Sequence, residues 1–168
     1  MICTGVGRRG KEVELPGYQR ERSLSILMGV ARLGQIVQAL TVQRNHEQQE
    51  ATPAGEGRRK GDPYPSYTPI AIVERASCPD QRIISSTLGE IETMLQRCGE
   101  QRPPAMMLVG WAVLALAGEG NLGVLDDAAE CAGNSEMLQA RDIARVDAWL
   151  GEGRCIIKEG LPPTWDLL

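Results

Sequence analysis

The stretch Thr68–Ile91, TPIAIVERASCPDQRIISSTLGEI, decides the fold of this chain. An apolar run with β-branched residues ends at Glu74, a turn of small residues follows, and a second apolar run begins at Arg82. Short apolar runs bounded by proline and turn residues are typical of strands rather than helices. Thr87 and Glu90 have the spacing of a capping box, which marks a helix start. The stretch therefore predicts a strand, a turn, a strand and a helix.

Further strands and helices are predicted on both sides, from apolar runs of strand length and from apolar residues at helical spacing. The predicted strands are 24–27, 105–109 and 155–157, and the predicted helices are 33–44, 87–98, 126–130 and 136–150. Residues 111–116 either continue the strand before them or turn a corner. This alternation predicts an α/β fold, a small mixed sheet with flanking helices.

Two segments are predicted to be loops. Residues 45–66 are polar and rich in Gly, Pro and Gln, with no apolar period, so we expect a disordered insertion in which the basic run 58–60 is solvated. The opening contains G-x-G-x-x-G at Gly5, Gly7 and Gly10. A dinucleotide fingerprint needs a strand before it and a helix after it, and only four residues precede the first glycine. We therefore interpret the opening as a flexible basic loop.

The composition excludes several classes of function. A chain of 168 residues with 42% hydrophobic residues has the size and apolar content of one globular domain. A net charge of -4 gives no sign of nucleic-acid binding, and no apolar stretch is long enough to cross a membrane. The single histidine, His46, has no metal-ligating neighbours, so no metal site is expected. Five cysteines without C-x-x-C spacing favour reduced thiols and a cytoplasmic location.

The strand ends are the local feature that bears on function. No Ser-His-Asp set or P-loop occurs, so no catalytic residue is predicted. Small residues follow three predicted strands, at Met28-Gly29, Ala76-Ser77 and Gly110. Ligands of open α/β sheets bind at the carboxyl ends of strands, where small residues let the backbone approach the ligand. The three ends therefore predict one ligand crevice, and ordinary turn chemistry is the alternative.

The stretch around Thr68 also carries a family resemblance. It is similar to the C-terminal half of the tetrapyrrole methylases, in which a strand TPxAxxE leads through a small-residue turn to P-x-Q-R and T-L. The sequence VERASCPDQR at 73–82 is more similar to the fungal than to the bacterial members. The matching residues are Thr68, Pro69, Ala71, Glu74, Pro79, Gln81, Arg82, Thr87 and Leu88. The resemblance implies the C-terminal domain of a class III methyltransferase at 1–117, followed by a C-terminal extension at 118–168.

The resemblance also implies a cofactor and a reaction. Tetrapyrrole methylases hold S-adenosylmethionine between two α/β domains and transfer its methyl group to a pyrrole carbon. The implied substrate is uroporphyrinogen III, methylated to precorrin-2 in siroheme biosynthesis. The implied cofactor contacts are Met28 with Gly29, Ala76, and Gly110 with Trp111. Arg82 either belongs to a structural signature with Glu74 and Gln81 or pairs with a carboxylate of the tetrapyrrole.

The sequence lacks the glycine-rich loops GxGPGDP and GGDP that hold the rest of the cofactor in this family. An N-terminally truncated enzyme is therefore one interpretation, and an inactive or association-only fragment is the alternative. A different tetrapyrrole methylase or a relative of diphthine synthase is a third interpretation. Members of the family pair as homodimers, so we expect a homodimer if the catalytic unit is intact.

Overall fold

A computed structural model describes residues 1–5, 14–43, 59–117, 120–131 and 134–161. One sheet is formed by β1 (Ile2–Thr4), β3 (Leu24–Leu27), β5 (Pro69–Glu74), β6 (Arg82–Thr87), β7 (Ala105–Val109) and β8 (Ile156–Glu159). A separate parallel pair is formed by β2 (Leu15–Pro16) and β4 (Arg59–Lys60). The α-helices are α1 (Leu33–Thr41), α2 (Ile91–Arg97), α3 (Gly123–Glu130) and α4 (Ser135–Leu150), and 3-10 turns lie at Val30–Arg32 and Trp111–Ala117.

The order of strands in the main sheet is β1-β3-β7-β5-β6-β8. β1 and β3 are parallel, and every other neighbouring pair is antiparallel. β5 is buried along its whole length and has a neighbouring strand on each side. The predicted α/β fold with a small mixed sheet is therefore confirmed, and most of its pairings are antiparallel.

Aliphatic side chains from the sheet and two helices form the main core. The apolar period of α1 places Leu33, Ile36 and Leu40 against this core, as its spacing predicts. Leu88 and α2 cover the same core further along the sheet. The fully buried strand residues include Ile26, Ile70, Ile72, Ile84, Met107 and Val109.

The helix predicted from Thr87 begins four residues later, at Ile91. Residues up to Thr87 belong to β6 instead, where Thr87 pairs with Pro69 of β5. The Thr87 hydroxyl still donates to a Glu90 carboxylate oxygen at 3.2 Å, so the capping-box residues meet across a turn before the helix. Sheet pairing at this point outweighs the local helix signal, because β-propensity depends strongly on tertiary partners.

The opening forms a strand where a flexible loop was predicted. β1 pairs with β3, and the Gly5 N–H donates to the Leu27 carbonyl oxygen at 2.7 Å. A Cβ atom on Gly5 would lie 2.5 Å from the Gly29 Cα atom, so glycine is required for this approach. Gly7 and Gly10 lie outside the described residues. A three-residue strand at the start of a chain is too short for its alternation to be read from sequence.

The predicted disordered insertion at 45–66 is wrong in its last part, and its first part lies outside the described residues. Arg59 begins β4, and its guanidinium donates to carbonyl oxygens at the end of α1, including that of Leu40 at 2.7 Å. Tyr64 is 2% exposed and packs edge-to-face on Tyr18, with ring centroids 5.3 Å apart. An arginine that satisfies free helix carbonyls and a buried tyrosine thus order a polar segment.

The C-terminal segment extends the same sheet. The predicted edge strand is confirmed as β8, which pairs with β6, and both predicted helices are confirmed as α3 and α4. Residues from Trp111 turn a corner as a 3-10 helix. Trp111 and Leu114 of this turn form a second core cluster with Val124 of α3 and with Val146 and Leu150 of α4. Trp165 lies outside the described residues, and no helix that the structure describes has the length and apolar character for a membrane crossing.

Candidate functional site

The carboxyl ends of β1, β3 and β5 lie at one end of the sheet. β1 is parallel to β3, and both β3 and β5 are antiparallel to β7, so all three run in the same direction. We call this region the Met28 edge and define it as Gly5, Met28, Gly29 and residues 75–77. Leu27 and Val73 both pair with Met106, so β3 and β5 end level with each other, about 10 Å apart across β7.

β7 ends at the opposite end of the sheet, where β3 and β5 begin. Val109 pairs with Leu24 at the start of β3 and with Ile70 near the start of β5. Gly110 and Trp111 therefore lie a full strand length from the Met28 edge. The prediction that three strand ends form one crevice is wrong, because an antiparallel central strand carries its carboxyl end to the other side.

Met28 and Gly29 turn the chain sharply at the end of β3. Met28 has a φ of 57° and is 72% exposed. Gly29 is buried, and a Cβ atom on it would lie 2.4 Å from the Met107 Cε atom and 2.7 Å from the Ile36 Cδ1 atom. The glycine thus lets the turn lie against the core, while the preceding residue is exposed.

Residues 75–77 form a second strained turn. Arg75 has a φ of 49° and Ser77 a φ of 65°. Together with Met28 they are three of the four non-glycine residues with positive φ in the described ranges. Such conformations cost on the order of 1–3 kcal/mol each and cluster at ligand clamps and active sites. Three of these four residues lie at the Met28 edge, which is therefore the candidate functional site.

Several contacts hold the second turn. The Arg75 N–H donates to the Pro104 carbonyl oxygen at 2.8 Å, and the Ser77 N–H donates to Gln81 Oε1 at 2.8 Å. The Arg75 guanidinium, 2.6 Å from a carboxylate oxygen of Asp80, lowers the pKa of that exposed carboxyl. The exposed residue between the two strained ones, Ala76, makes no hydrogen bond through its N–H to the part of the chain that the structure describes. A fixed backbone donor at a strand end is suited to a polar ligand atom.

Glu74 and Arg82 form a buried pair behind this turn. Arg82 Nε donates to Glu74 Oε2 at 2.5 Å, and the side chains are 4% and 0% exposed, respectively. The remaining donors of Arg82 contact the carbonyl oxygens of Cys98 and Glu100 at 2.8 and 2.7 Å. The hydrogen bond to Glu74 raises the pKa of Arg82. This geometry supports the structural interpretation of the pair, and the pairing of Arg82 with a substrate carboxylate stays a prediction.

Trp111 lies in the second core cluster rather than at a surface. Its indole N–H donates to the Tyr18 hydroxyl at 3.0 Å, and the Arg20 guanidinium lies 5.1 Å from the ring centroid. Arg20 in turn donates to both carboxylate oxygens of Asp142 on α4, each at 2.7 Å. Trp111 is only 6% exposed, so its ring offers little accessible surface to a ligand. Its contact with a cofactor stays a prediction. Sequence analysis missed Arg20 and Asp142, because neither lies in a motif.

A cleft of about 440 Å³ opens near the amino end of β3. Tyr18 lines it, and the cations Arg22 and Lys60 are balanced by the acids Glu14 and Asp62. None of the predicted site residues lines this cleft. The ranges that the structure describes also contain no group of His, Cys, Asp or Glu able to hold a metal ion.

Comparisons with known proteins identify sequence relatives. No family model matches the chain. The "Probable uroporphyrinogen-III C-methyltransferase" of Schizosaccharomyces pombe is 30% identical over 112 residues, which are 67% of this chain and 18% of that protein. The "Uroporphyrinogen-III C-methyltransferase" of Saccharomyces cerevisiae is 33% identical over 116 residues, which are 69% of this chain and 16% of that protein. This chain therefore spans less than a fifth of these curated relatives.

Two solved structures of uroporphyrin-III C-methyl transferase from Thermus thermophilus also match, one native and one complexed with S-adenyl homocysteine. They are 27% and 26% identical, cover 68% and 74% of this chain and are themselves covered over 42% and 46%, each with a TM-score of 0.40. The sequence matches confirm the resemblance to the tetrapyrrole methylases. Over two thirds of its length, this chain is a sequence relative of the fungal uroporphyrinogen-III C-methyltransferases.

Proposed function

We propose that this chain carries the C-terminal half of an S-adenosylmethionine-dependent methyltransferase that converts uroporphyrinogen III to precorrin-2. In this proposal residues 1–117 belong to the methylase domain, and residues 118–168 are an extension of it. The observation that carries the proposal is the Met28 edge. Its strained backbone turns lie at Met28 and on both sides of Ala76, and these are two of the positions where the family resemblance implies cofactor contacts.

The residues of the Met28 edge fit the adenosine part of S-adenosylmethionine. Ala76 offers a backbone N–H and a side chain of one carbon, so a flat heterocycle or ribose can approach closely. Met28 presents an exposed apolar side chain at the end of the neighbouring β3, across β7. When bound, the cofactor supplies an activated methyl group on a sulfonium. The chain's own part is then to bind and orient the ligand, which accounts for much of catalysis when the electrophile is already activated.

The finer parts of the proposal follow from the relatives and the family. The activity belongs to siroheme biosynthesis, the compartment is the cytoplasm, and the intact catalytic unit is a homodimer. Uroporphyrinogen III is the small-molecule partner, and neither nucleic acid nor a membrane is involved. The names of the two fungal relatives support the substrate.

A second candidate is a domain that associates with another protein and has no activity of its own. The observation that favours it is the span of the match, since the chain covers only 16–18% of its curated relatives. In this reading the Met28 edge keeps its ancestral shape without binding a cofactor. The two candidates differ in whether the chain binds S-adenosylhomocysteine.

Calorimetric titration of the purified chain with S-adenosylhomocysteine tests the proposal. We expect micromolar binding, about tenfold weaker in Ala76→Glu, which places a charged side chain over the turn. Ala148→Glu is the matched control, because Ala148 is an exposed alanine on α4, outside the Met28 edge. No binding by a folded chain would favour the association-only domain. Equal binding by Ala76→Glu would place the cofactor elsewhere.

Methyl transfer is tested separately with uroporphyrinogen III and S-adenosylmethionine, with chromatographic detection of precorrin-2. We expect product from the chain assembled with a polypeptide that supplies the N-terminal half. A chain that binds the cofactor but yields no product in that assembly would contradict the proposed substrate while leaving the cofactor site in place.

A further inference from the structure

Gln81 is the side chain that contacts the strained turn at the Met28 edge. Its Oε1 atom accepts a hydrogen bond from the Ser77 N–H at 2.8 Å. Within the described residues, no other side chain hydrogen-bonds to the backbone of residues 75–77. The Arg75 side chain pairs with Asp80, but among the described residues only Gln81 fixes a backbone amide of the turn through a side chain.

The turn needs such a constraint, because its conformation is unfavourable for the residues it contains. Left-handed backbone at Arg75 and Ser77 is disfavoured by contact between Cβ and the following carbonyl oxygen. A residue released from this conformation would turn its amide in a new direction. Ala76 lies between the two, and the Ser77 N–H belongs to the peptide that follows it. A bond to the Ser77 N–H therefore constrains the backbone on one side of Ala76.

Gln81 itself is held on two sides. Its N–H donates to the Cys78 carbonyl oxygen at 2.9 Å, and its carbonyl oxygen accepts from the Gly160 N–H at 2.8 Å. The next residue, Arg82, begins β6 and carries the buried pair with Glu74. The acceptor that fixes Ser77 is therefore attached to the sheet rather than to a free loop.

We propose that Gln81 is a positioning residue for ligand binding at the Met28 edge, because its side-chain amide holds the Arg75–Ser77 turn that presents the Ala76 N–H. The inference rests on the proposed function for the identity of the ligand, the adenosine part of S-adenosylmethionine. Gln81 does not touch the ligand; it sets the direction of the donor that does. Affinity for the ligand then depends on an acceptor atom at position 81.

The test compares Gln81→Leu, which removes the acceptor at similar size, with Gln81→Glu, which retains an acceptor oxygen. Amide hydrogen exchange at Ser77 reports the hydrogen bond, and titration with S-adenosylhomocysteine reports affinity. For Gln81→Leu we expect exchange about tenfold faster and affinity about 3- to 10-fold weaker, the value of one hydrogen bond. In Gln81→Glu we expect the exchange rate at Ser77 and the affinity to stay near those of the unsubstituted chain. If Gln81 acted only through packing, the glutamate variant would not differ from the leucine variant in this way.

Lys158→Met is the matched control, since Lys158 Nζ donates to the Leu116 carbonyl oxygen, away from this turn. We expect it to change neither readout. Gln81→Asn, with an amide one methylene shorter, is the second variant if Gln81→Leu does not fold, and it should behave like the leucine variant.

The outcomes separate this inference from the proposed function. Absence of binding by the unsubstituted chain overturns the proposed function, and the exchange rate at Ser77 then decides whether Gln81 holds the turn. Binding that is unchanged in Gln81→Leu overturns the inference alone. Unchanged exchange at Ser77 in the same variant overturns it as well.

Discussion

Replacing Asp142 by Asn should destabilise the fold strongly. The Arg20 side chain is 8% exposed and that of Asp142 2% exposed, and two hydrogen bonds of 2.7 Å join them. The third contact of the guanidinium is with the Val124 carbonyl oxygen, at 2.6 Å. Asn has nearly the same shape as Asp but no charge, so the substitution removes the nearest counter-ion of a buried cation. The next carboxylate, on Asp127, lies 4.0 Å from the guanidinium.

The expected magnitude follows from the burial of the pair. Removing one partner of a buried ion pair costs about 3–5 kcal/mol, because the remaining charge has lost both water and its partner. Asn retains one carbonyl acceptor, so we expect the lower value, about 3 kcal/mol. With a urea m-value of about 2 kcal/mol/M, the unfolding midpoint should fall by about 1.5 M. Since domains have only about 5–15 kcal/mol of stability, this loss is a large share.

Urea unfolding followed by tryptophan fluorescence measures the effect, because Trp111 lies beside Arg20. Glu159→Gln is the matched control, because it breaks an exposed ion pair with Arg102. The Glu159 side chain is 54% exposed and that of Arg102 is 36% exposed. Exposed pairs contribute about 0–1 kcal/mol. The double variant Arg20→Met with Asp142→Leu should recover most of the loss. A loss below about 1 kcal/mol for Asp142→Asn, no larger than for the control, would refute the reasoning.

Three further predictions concern other parts of the fold. Gly110→Ala should cost about 2 kcal/mol and lower Tm by about 4–8 °C, because Gly110 has a φ of 119° and a Cβ would lie 2.8 Å from a backbone carbonyl oxygen. Gly99→Ala, at a φ of 81° with no atom within 4 Å of a Cβ, should cost less, and an equal cost would contradict the role of the contact. Burial raises the pKa of Cys155 from 9.0 to about 11. Iodoacetamide reacts with the thiolate, so at pH 8 it should alkylate Cys155 about 100-fold more slowly in the folded than in the unfolded chain. Mass spectrometry follows the reaction, and equal rates would contradict this prediction. The hydrogen bond from Arg145 holds the pKa of Asp127 below its ordinary value of 3.8. The unfolded chain therefore binds more protons than the folded chain in acid. The stability that Asp127 contributes above about pH 4 is lost as the pH falls through its folded pKa. Urea midpoints measured from pH 5 to pH 3 should therefore decrease, and Asp127→Asn should flatten that decrease; parallel curves would contradict the assignment.

Local patterns predict the elements of this fold well where one face is buried. The apolar spacing of α1 and the short apolar runs of β3 and β7 are consequences of burial against one core, so they are visible in sequence. The positions of Met28 and Ala76 just after strands are likewise predictable, because turn residues and a family motif mark the strand ends, and their role in binding stays a prediction.

Long-range arrangement is what the residues do not reveal. Gly110 follows a strand in the same manner as Met28, yet the direction of β7 places it at the opposite edge. Arg20 and Asp142 are far apart in sequence and lie in polar surroundings, so each alone is typical of a solvated surface. Tyr64 illustrates the same limit, since one buried aromatic residue within a polar run leaves no period to detect.

The place of β7 between β3 and β5 has a consequence for how the polypeptide is made. During synthesis β3 leaves the ribosome first, but the neighbour that completes its antiparallel side begins only at Ala105. That neighbour follows after roughly 80 residues, which take about 4–16 s at about 5–20 residues per second. Until then both β3 and β5 present an open strand edge to other nascent chains. If the ribosome stalls before Pro104, the nascent chain therefore contains β3 and β5 but lacks β7, the strand that pairs with both of them.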